Sequence, residues 1–386
     1  MSSSLKQPVR DLLADLVRIN SVNPEWGGPG EGAVADYVIR HFEEIGMPVE
    51  RQEVLPGRPN VIATLPGRDR DRSLLFEVHM DTVGTEAMTI DPFDPRIEDG
   101  RMWGRGSCDV KGSLAAIMQT LTQLKQVDYV PGVDVVMAAV VDEEHHFRGV
   151  SALIDSFERK PEAAVVAEPT EMNIACANKG VLRWRIVAHG KSAHSSKPDL
   201  GADAISAMAD VVRAIADDAG RLRGHSHPLV GSPTCNVGLI EGGEQVNFVP
   251  AHCAISLDRR LVPGEVIAEV MREYESLLEP VRQRHPKVQL EMEKPSVEDA
   301  AMETPVGEKI VGDAGFVADH IGMTSKPIGV PYGCDCTKLS RAGIPAIIFG
   351  PGSIDQAHTA DEWVPLHEVE FAMDFYQGLI VEYADS

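Results

Sequence analysis

Five short segments of the chain combine histidine and carboxylate side chains in a pattern that suits a metal centre. They contain, in chain order, His79 and Asp81; Asp109; Asp142, Glu143 and Glu144; Glu168; and His358. Imidazole nitrogens and carboxylate oxygens are the ligands that zinc, cobalt and manganese take in proteins. Two metal ions that lie a few ångströms apart need a carboxylate that bridges them, and one remaining glutamate can then act as a base. The set predicts metal-assisted hydrolysis.

The glycine-rich segment GRGSCDVKG, residues 104–112, makes Asp109 the candidate for the bridging ligand. The segment lacks the order of residues found in a P-loop and in the G-x-G-x-x-G dinucleotide motif. A phosphate-binding loop is therefore not predicted. The glycines instead allow a sharp turn that projects Asp109 towards the edge of a sheet.

The other candidates follow apolar runs. His79 closes the run SLLFEVH, and Asp81, two residues further on, is predicted to orient it as a metal ligand. Residues 142–144 follow VDVVMAAVV, where three adjacent carboxylates repel one another unless cations neutralise them. Taken singly, a structural histidine and a solvated acidic turn stay open as alternatives. His145 and His146 are predicted to be loop residues and not ligands.

These candidates need a scaffold that brings distant segments together. Residues 60–65, 73–79, 133–141 and 163–167 are short apolar runs, typical of strands buried on both faces of a largely parallel sheet. Between them, residues 112–127 place their large apolar side chains on one helical face. The alternation predicts an α/β layer domain, in which ligands bind at the edge where the strands end.

The pattern changes after Asn178 and returns after Pro295. In between, the sequence predicts a strand at 181–188, a helix at 201–219, strands at 234–240 and 252–257, a helix at 265–278 and a strand at 287–292. This order describes a small α+β domain. A helix near 306–315, a strand at 346–349 and a C-terminal helix complete the larger domain. We therefore predict a catalytic domain of residues 1–178 and 296–386, into which residues 179–295 are inserted.

Composition narrows the class of protein. The net charge of −23 repels nucleic-acid phosphates, so no nucleic-acid partner is expected. No apolar run approaches the roughly eighteen residues that span a membrane, and the N-terminal apolar residues recur at helical spacing. We expect a cytoplasmic protein with no membrane partner. Six cysteines are too few for a disulfide scaffold, and the C-x-C pair of Cys334 and Cys336 lacks a second pair to complete a thiolate site.

With these residues in place, the sequence resembles the di-zinc metallopeptidase and amidohydrolase family that contains acetylornithine deacetylase, succinyl-diaminopimelate desuccinylase, aminoacylase and carboxypeptidase G. The resemblance covers nearly the whole chain and is carried by HMDTV, WGRGSCDVKG, DEEHHFRG, AEPT, GKSAHSSKPDLGADAI, NFVP, DRRLVPG and GIPAIIFGPGSIDQAHTADEWV. The run GPGSIDQAHTADE is most similar to the acetylornithine deacetylase branch. The fold it implies is of the di-zinc exopeptidase type, a mixed, largely parallel sheet flanked by helices, with an inserted domain that acts as a lid and dimerises.

The resemblance also implies the metal ligands, position by position. One metal would be held by His79 and Glu168, and a second by Glu144 and His358. Asp109 would bridge the two. Zinc is the expected metal, with cobalt or manganese as substitutes.

The same resemblance implies roles for further residues. Asp81 would orient its neighbouring histidine, and Glu143 would be the general base. In the inserted domain, His194 would reach the active site of the partner subunit in a homodimer. Asn247 and Arg260 would contact the carboxylate of the substrate.

The expected activity is hydrolysis of the amide bond of a small N-acyl amino acid, as in acetylornithine deacetylase. A desuccinylase, or a carboxypeptidase or dipeptidase that acts on short peptides, is the alternative on the same metal site. A more remote alternative is a non-catalytic binding protein of this fold, against which the intact set of ligands argues. Many relatives have Gly-Thr-Asp where this chain has Gly333-Cys334-Asp335-Cys336, so the preferred acyl group is left open.

Overall fold

The chain forms two compact units, which the computed structural model describes from residue 3 to residue 385. The first unit contains the described residues as far as Cys176, together with Thr304–Ile328 and the chain from Cys334 onwards. The second unit contains Ala177–Glu303 and Gly329–Gly333. It extends beyond residue 295, because Val297–Asp299 pairs with residues 181–183 of its central strand.

A mixed sheet forms the core of the first unit, as predicted. Its strands lie in the order Val49–Leu55, Arg58–Leu65, Val133–Val140, Asp69–His79, Ala163–Val166, Ala346–Ile348 and Ala175–Asn178. The four strands from Val133–Val140 to Ala346–Ile348 are parallel. The strands on either side of them pair antiparallel. Parallel pairing is thus confined to the centre of the sheet, where the apolar runs are buried.

Helices cover both faces of this sheet. They are Ser3–Arg18, Gly32–Glu44, Gly112–Gln126, Arg148–Ser156, Lys309–His320, Cys336–Arg341 and Leu366–Asp385. Adjacent residues of one strand meet different helices, because side chains alternate between the faces. Phe76 packs edge-on against Tyr376 of the C-terminal helix, with ring centroids 5.6 Å apart. Glu77, on the other face, meets Asp335 at the start of Cys336–Arg341.

The helix Gly112–Gln126 is buried on more than the one face that its apolar pattern predicts. Its residues are buried from Gly112 to Thr122. Ser3–Arg18 and Leu366–Asp385 both pack against it, and it also contacts the strand Asp69–His79. A central helix with neighbours on several sides buries its small and polar residues too, which explains the buried Ser113 and Thr120.

The second unit has a main antiparallel sheet, two helices and a small two-stranded sheet of Ala193–His194 and Phe248–Val249. Its strands lie in the order Thr234–Gly242, His252–Leu261, Gly180–His189 and Gln289–Met292, and Val297–Asp299 continues the last edge. The helices Ala204–Arg223 and Ile267–Arg284 pack against each other and against this sheet. Trp184 and Tyr274 lie in their shared core, with ring centroids 4.8 Å apart. The order of strands and helices is the one that the sequence predicts.

The carboxyl ends of the parallel strands bring four of the five candidate segments to one edge of the first unit's sheet. His79 is the last residue of its strand. Residues 142–144 follow Val133–Val140, Glu168 follows Ala163–Val166, and a loop from Ala346–Ile348 leads to His358. The fifth segment is the turn Ser107–Lys111, which contains Asp109 and directly precedes the helix Gly112–Gln126.

Several elements were not predicted from the sequence. The strand Val49–Leu55 and the helices Gly32–Glu44, Arg148–Ser156 and Cys336–Arg341 are among them. The unpredicted elements also include the short strands and turns Pro24–Trp26, Ile97–Glu98, Arg101–Trp103, Ala193–His194, Pro198–Leu200, Phe248–Val249, Met302–Glu303, Ile328–Val330 and Trp363–Pro365. None of the helices in the described part of the chain has the length and apolar character needed to cross a membrane.

Candidate metal centre

Asp109 lies between two histidines that are 279 residues apart in the chain. Its Oδ1 atom is 3.0 Å from Nε2 of His79, and its Oδ2 atom is 3.3 Å from Nε2 of His358. The side chains of His79 and Asp109 are buried, whereas His358 is half-exposed. Each carboxylate oxygen therefore faces a different imidazole, which is the arrangement required of a carboxylate that bridges two metal ions.

Two glutamates complete the two ends of this arrangement. Oε1 of Glu168 lies 3.9 Å from Nε2 of His79, and Oε1 of Glu144 lies 3.0 Å from Nε2 of His358. Ligands at 2.0–2.2 Å from a tetrahedral zinc ion are separated by about 3.3–3.6 Å. The nitrogen and oxygen donors, and their spacing of 3.0–3.9 Å, therefore fit two zinc-like ions that share Asp109.

Glu143 lies beside this set. Its carboxylate, that of Glu168 and the imidazole of His79 place ligand-type atoms within 4.8 Å of one another. His79, Asp109 and Glu144 form a second group of the same size, so the donor atoms make one compact cluster. The structure thus brings together all six residues that the sequence suggests as ligands and base. His145 and His146 lie in the loop that follows, as expected, with ring centroids 3.7 Å apart and ring planes tilted by 39°.

A buried glutamate holds the turn that carries Asp109. The backbone N–H groups of Gly106, Cys108 and Asp109 donate to the carboxylate of Glu362, at 3.0, 2.9 and 3.1 Å. Arg105 adds an ion pair, with Nη1 2.6 Å from Oε2 of Glu362. Glu362 follows His358 by four residues, so it ties Asp109 to the segment of the second histidine. The sequence analysis missed this role, because no local signal separates Glu362 from its exposed neighbour Asp361.

The glycines of this turn act as predicted. Gly106 adopts φ +79°, and a Cβ atom there would lie 2.7 Å from Cγ2 of Thr82. A side chain would meet both a left-handed backbone and a close neighbour, so glycine is required at this point. Asp142 and His358 also adopt left-handed backbone angles, φ +67° and +59°, without being glycines. Such conformations in non-glycine residues concentrate at functional sites.

Asp81 contacts both His79 and the loop of Glu143, through different groups. Nδ1 of His79 hydrogen-bonds the backbone carbonyl of Asp81 at 3.0 Å, while the carboxylate lies farther away, at 3.6 Å. The Asp81 carboxylate instead accepts hydrogen bonds from the backbone N–H groups of Glu143 at 3.1 Å and Glu144 at 3.2 Å. The backbone of Asp81 thus orients the histidine, because the chain turns directly after the strand, and its side chain positions the next loop.

The cluster places several carboxyl groups close together in a buried site, where burial and mutual repulsion disfavour their negative charge. Burial, followed by the charge of Glu168, raises the pKa of Glu143 well above its usual value. Burial and the charge of Asp109 also raise the pKa values of Glu144 and Glu168. Burial opposes protonation of His358, but hydrogen bonds to Asp109 and Glu144 outweigh it and raise the pKa to about 11. Cations bound by these residues would therefore displace protons.

The C-x-C pair is buried next to this cluster. The side chains of Cys334 and Cys336 are inaccessible, and both thiols are free. Burial, followed by a hydrogen bond between the two, raises the pKa of Cys334, and the charge of Glu168 adds to the effect. Among the described residues, the candidate metal-binding groups consist of histidine and carboxylates and include neither thiol.

The remaining predicted residues belong to the second unit. His194 is exposed on the two-residue strand Ala193–His194, and its Nδ1 atom lies 2.8 Å from Oγ of Ser196. Asn247 is close in space to this strand, since its carbonyl accepts the Ser195 N–H at 2.9 Å. Arg260 lies on the separate strand His252–Leu261 and donates from Nε to Asp258 at 2.9 Å.

Comparison with known proteins agrees with this geometry. Residues 75–382 match peptidase family M20/M25/M40. The chain belongs to this family. It is therefore a metal-dependent hydrolase that acts on amide bonds, and the resemblance and enzyme class predicted from the motifs are confirmed.

Curated relatives and solved structures of the same kind extend the match beyond the family region. The chain is 31% identical to an acetylornithine deacetylase of Photorhabdus laumondii over 332 residues, 84% of this chain and 83% of that one. It is 28% identical to an acetylornithine deacetylase of Myxococcus xanthus, over 94% and 93% of the two chains. A tripeptidase from Staphylococcus aureus has the same fold, with a TM-score of 0.83, 21% identity and 99% coverage of both chains. So does a dinuclear metal-binding peptidase from Bacillus subtilis, with a TM-score of 0.75, 16% identity and coverage of 100% and 99%.

Proposed function

We propose that this protein is a di-zinc deacetylase that hydrolyses the amide bond of a small N-acetylated amino acid of the acetylornithine type. The observation that carries the proposal is Asp109, whose two oxygens face His79 and His358 beside the buried carboxyl of Glu143. The choice of the amino acid and of the acetyl group rests on relatives named acetylornithine deacetylase, whose matches to this chain cover most of the length of both proteins.

In this proposal His79 and Glu168 would hold one zinc ion and Glu144 and His358 a second, and Asp109 would be shared between them. The chemistry that such a pair supplies when bound is a lowered pKa of the attacking water and polarisation of the scissile carbonyl. Cobalt or manganese would serve with the same nitrogen and oxygen donors.

Glu143 acts as the general base. Its side chain is buried, and its backbone N–H is tied to Asp81, so the carboxyl has a fixed position beside the cluster. The high pKa that burial and Glu168 give this carboxyl makes it a good proton acceptor, and nearby cations would lower that pKa again. It takes the proton of the attacking water and delivers it to the leaving amine.

In this proposal the second unit supplies residues that contact the substrate and the surface through which two chains form a dimer. Arg260 binds the α-carboxylate of the substrate together with Asn247, and His194 stabilises the developing oxyanion in the neighbouring subunit. A homodimer is supported by the strand Thr234–Gly242, an edge of the described sheet on which Leu239 is 71% and Ile240 62% exposed. Edge strands with exposed apolar residues are surfaces that pair with another chain.

Glu143→Gln tests the core of the proposal. The variant should bind two metal ions per chain and lose turnover by at least about 10²-fold, the contribution typical of a positioned proton carrier. Metal content by elemental analysis and kcat on N-acetyl-ornithine are the measurements. The exposed Glu98→Gln serves as the matched control and should retain wild-type turnover. Unchanged turnover in Glu143→Gln would overturn the assignment of the base.

A substrate panel tests the acyl group and the amino acid. N-acetyl-ornithine, N-acetyl-citrulline, N-succinyl-diaminopimelate and dipeptides would be compared after chelation and reloading with zinc, cobalt or manganese. The highest kcat/KM is expected for N-acetyl-ornithine. A preference for the succinylated substrate or for dipeptides would assign the chain to another branch, and the absence of any metal-dependent hydrolysis would end the proposal.

Mixed dimers test the shared site. His194→Ala and Glu143→Gln should each be inactive alone, because each lacks one part of every site. If His194 acts in the partner, a mixture of the two regains activity in those dimers that contain one intact site. A mixture that stays as inactive as its components would contradict a contribution from the partner subunit.

A further inference from the structure

The loop of residues 142–144 is surrounded by buried polar side chains from the N-terminal part of the chain. Asn23, Glu31 and Arg58 all lie before residue 75, where the match to the peptidase family begins. Asn23, Glu31 and Asp142 are almost completely inaccessible, and Arg58 is buried as well. These buried groups contact the loop that carries the candidate base, Glu143.

Asn23 connects the carboxylate of Asp142, in this loop, to the carboxylate of Asp81, which accepts hydrogen bonds from the loop. Its Nδ2 group donates to Oδ2 of Asp81 at 2.8 Å and to Oδ1 of Asp142 at 3.0 Å. Its Oδ1 atom accepts the N–H of Glu25 at 3.1 Å, so every polar atom of the side chain is engaged. Two carboxylates this close repel each other, and the amide supplies donors to both.

The backbone of Asn23 is restrained as well. Its N–H donates to the carbonyl of Thr82 at 2.9 Å, and the N–H of Thr82 donates to the carbonyl of Ser21 at 3.1 Å. Residues 21–23 therefore run beside residue 82, directly after Asp81. The amide group is held in place before it contacts either carboxylate.

A second set of contacts holds Asp142. Glu31 accepts a bidentate pair from Arg58, at 2.6 and 2.7 Å, and also accepts the N–H of Asp142 at 3.0 Å. Arg58 donates to Oδ1 of Asp142 at 3.0 Å, and Arg148 donates to both oxygens of the same carboxylate. Asp142 can keep its left-handed backbone, φ +67°, because its carboxylate and its N–H are fixed from several sides.

We propose that Asn23 is a positioning residue for catalysis, which sets the direction of the Glu143 side chain by joining Asp81 to Asp142. Glu143 follows Asp142 directly and donates its N–H to Asp81. Asn23 therefore hydrogen-bonds both of the residues that hold the base in place. Asn23 itself contacts neither the predicted ligands' donor atoms nor Glu143 among its hydrogen bonds. The inference rests on the proposed function of Glu143.

The test is Asn23→Ala in the full chain loaded with zinc. Loss of a partner that orients an active-site group costs about 10–100-fold in activity. We expect kcat per metal-loaded protein to fall by about 10–100-fold, with KM changed by less than about threefold and two metals retained. A purely structural role would lower the melting temperature and the yield, but the folded, loaded protein would turn over at the wild-type rate.

The matched control is Asn20→Ala. Asn20 is an exposed asparagine three residues earlier, and its side chain accepts the local N–H of Val22. This variant should keep the wild-type kcat. Wild-type kcat in Asn23→Ala, a rise in KM alone, or an equal loss in both variants would overturn the proposal.

A second variant covers the case in which Asn23→Ala does not fold. The side chain of Arg148 is 42% exposed, so Arg148→Met is expected to fold, and it removes two of the hydrogen bonds to Asp142. It should lower kcat in the same direction without a change in KM, and an unchanged kcat would count against the proposal. If the wild-type protein hydrolyses none of the panel substrates, the proposed function fails. If it does and the variants match it, only the role of Asn23 fails.

Discussion

Two of the loops that supply carboxylates to the candidate metal centre are held by different means. In residues 106–109, three backbone N–H groups converge on a single carboxylate, Glu362. In residues 142–144, Asp81 receives two backbone N–H groups, and side-chain donors surround Asp142. The first loop has one anchor, whereas the second belongs to a network.

Because the two loops are held differently, we expect changes in the first to affect metal binding and changes around Asp142 to affect proton transfer. Glu362 connects Asp109 to the segment of His358, so its loss should alter the distance between two ligands. The network around Asp142 acts on Glu143, which is expected to move a proton. The side chain of Asp81 takes part in both, because it holds the backbone of Glu143, the expected base, and of Glu144, a predicted ligand.

The largest effect is therefore expected for Asp81→Asn. The new amide presents an NH₂ group to backbone N–H donors, so the hydrogen bonds to Glu143 and Glu144 cannot all persist. Metal affinity and turnover should each fall by about 10–100-fold, which gives a combined loss of about 10²–10⁴-fold at limiting metal. Calorimetric zinc titration and kcat at saturating zinc measure the two parts.

Asp155→Asn is the control for this variant, since Asp155 is exposed on the helix Arg148–Ser156. It should leave both quantities unchanged. If Asp81→Asn affects turnover but not zinc affinity, the Asp81 carboxylate positions Glu143 and not the predicted ligand Glu144, since the backbone contact with His79 is unchanged by this substitution.

A smaller and more selective effect is expected for Glu362→Gln. The amide can still accept some of the backbone N–H bonds, but it loses the ion pair with Arg105 and faces those donors with its own NH₂ group. Zinc affinity should fall by about 10–100-fold, while kcat at saturating zinc stays within about threefold of the wild type. The same titration and kinetics apply.

Asp361→Asn provides the matched control, because Asp361 is the exposed neighbour of Glu362 and should tolerate the change. A loss of kcat in Glu362→Gln that persists at saturating zinc would remove the contrast between the loops. The optical spectrum of the cobalt-loaded variant gives a further readout. A changed spectrum is expected, since the geometry at Asp109 should shift.

The scaffold of the metal centre could be predicted because its signals are local. The central strands are apolar runs of four to nine residues, most of which are directly followed by histidine or carboxylates, and parallel strands bring those ends to one edge. The strand Val49–Leu55 was missed, because its sequence VERQEVL is mostly charged or polar and its residues are at best half-buried. An edge strand of this kind has no run of apolar residues to reveal it.

The supporting residues could not be predicted, because their partners are remote in the chain. Asn23 and Asp81 are 58 residues apart, and Cys108 and Glu362 are 254 apart. Nothing in either segment alone distinguishes a buried hydrogen-bond acceptor from a surface carboxylate. Asp361 and Glu362 are adjacent and chemically alike, yet one is exposed and the other is inaccessible.

The sequence by itself determined which histidine and carboxylate side chains gather and the edge of the sheet at which they do so. Both follow from local periodicity and from the direction of the strands, which a short window of residues contains. The tertiary structure alone decided that the carbonyl of Asp81 orients His79 while its carboxylate holds the loop of Glu143, and that Glu362 anchors Asp109. Those choices depend on which donors meet which acceptors after the chain has folded, and that pairing is a property of distances across the whole first unit.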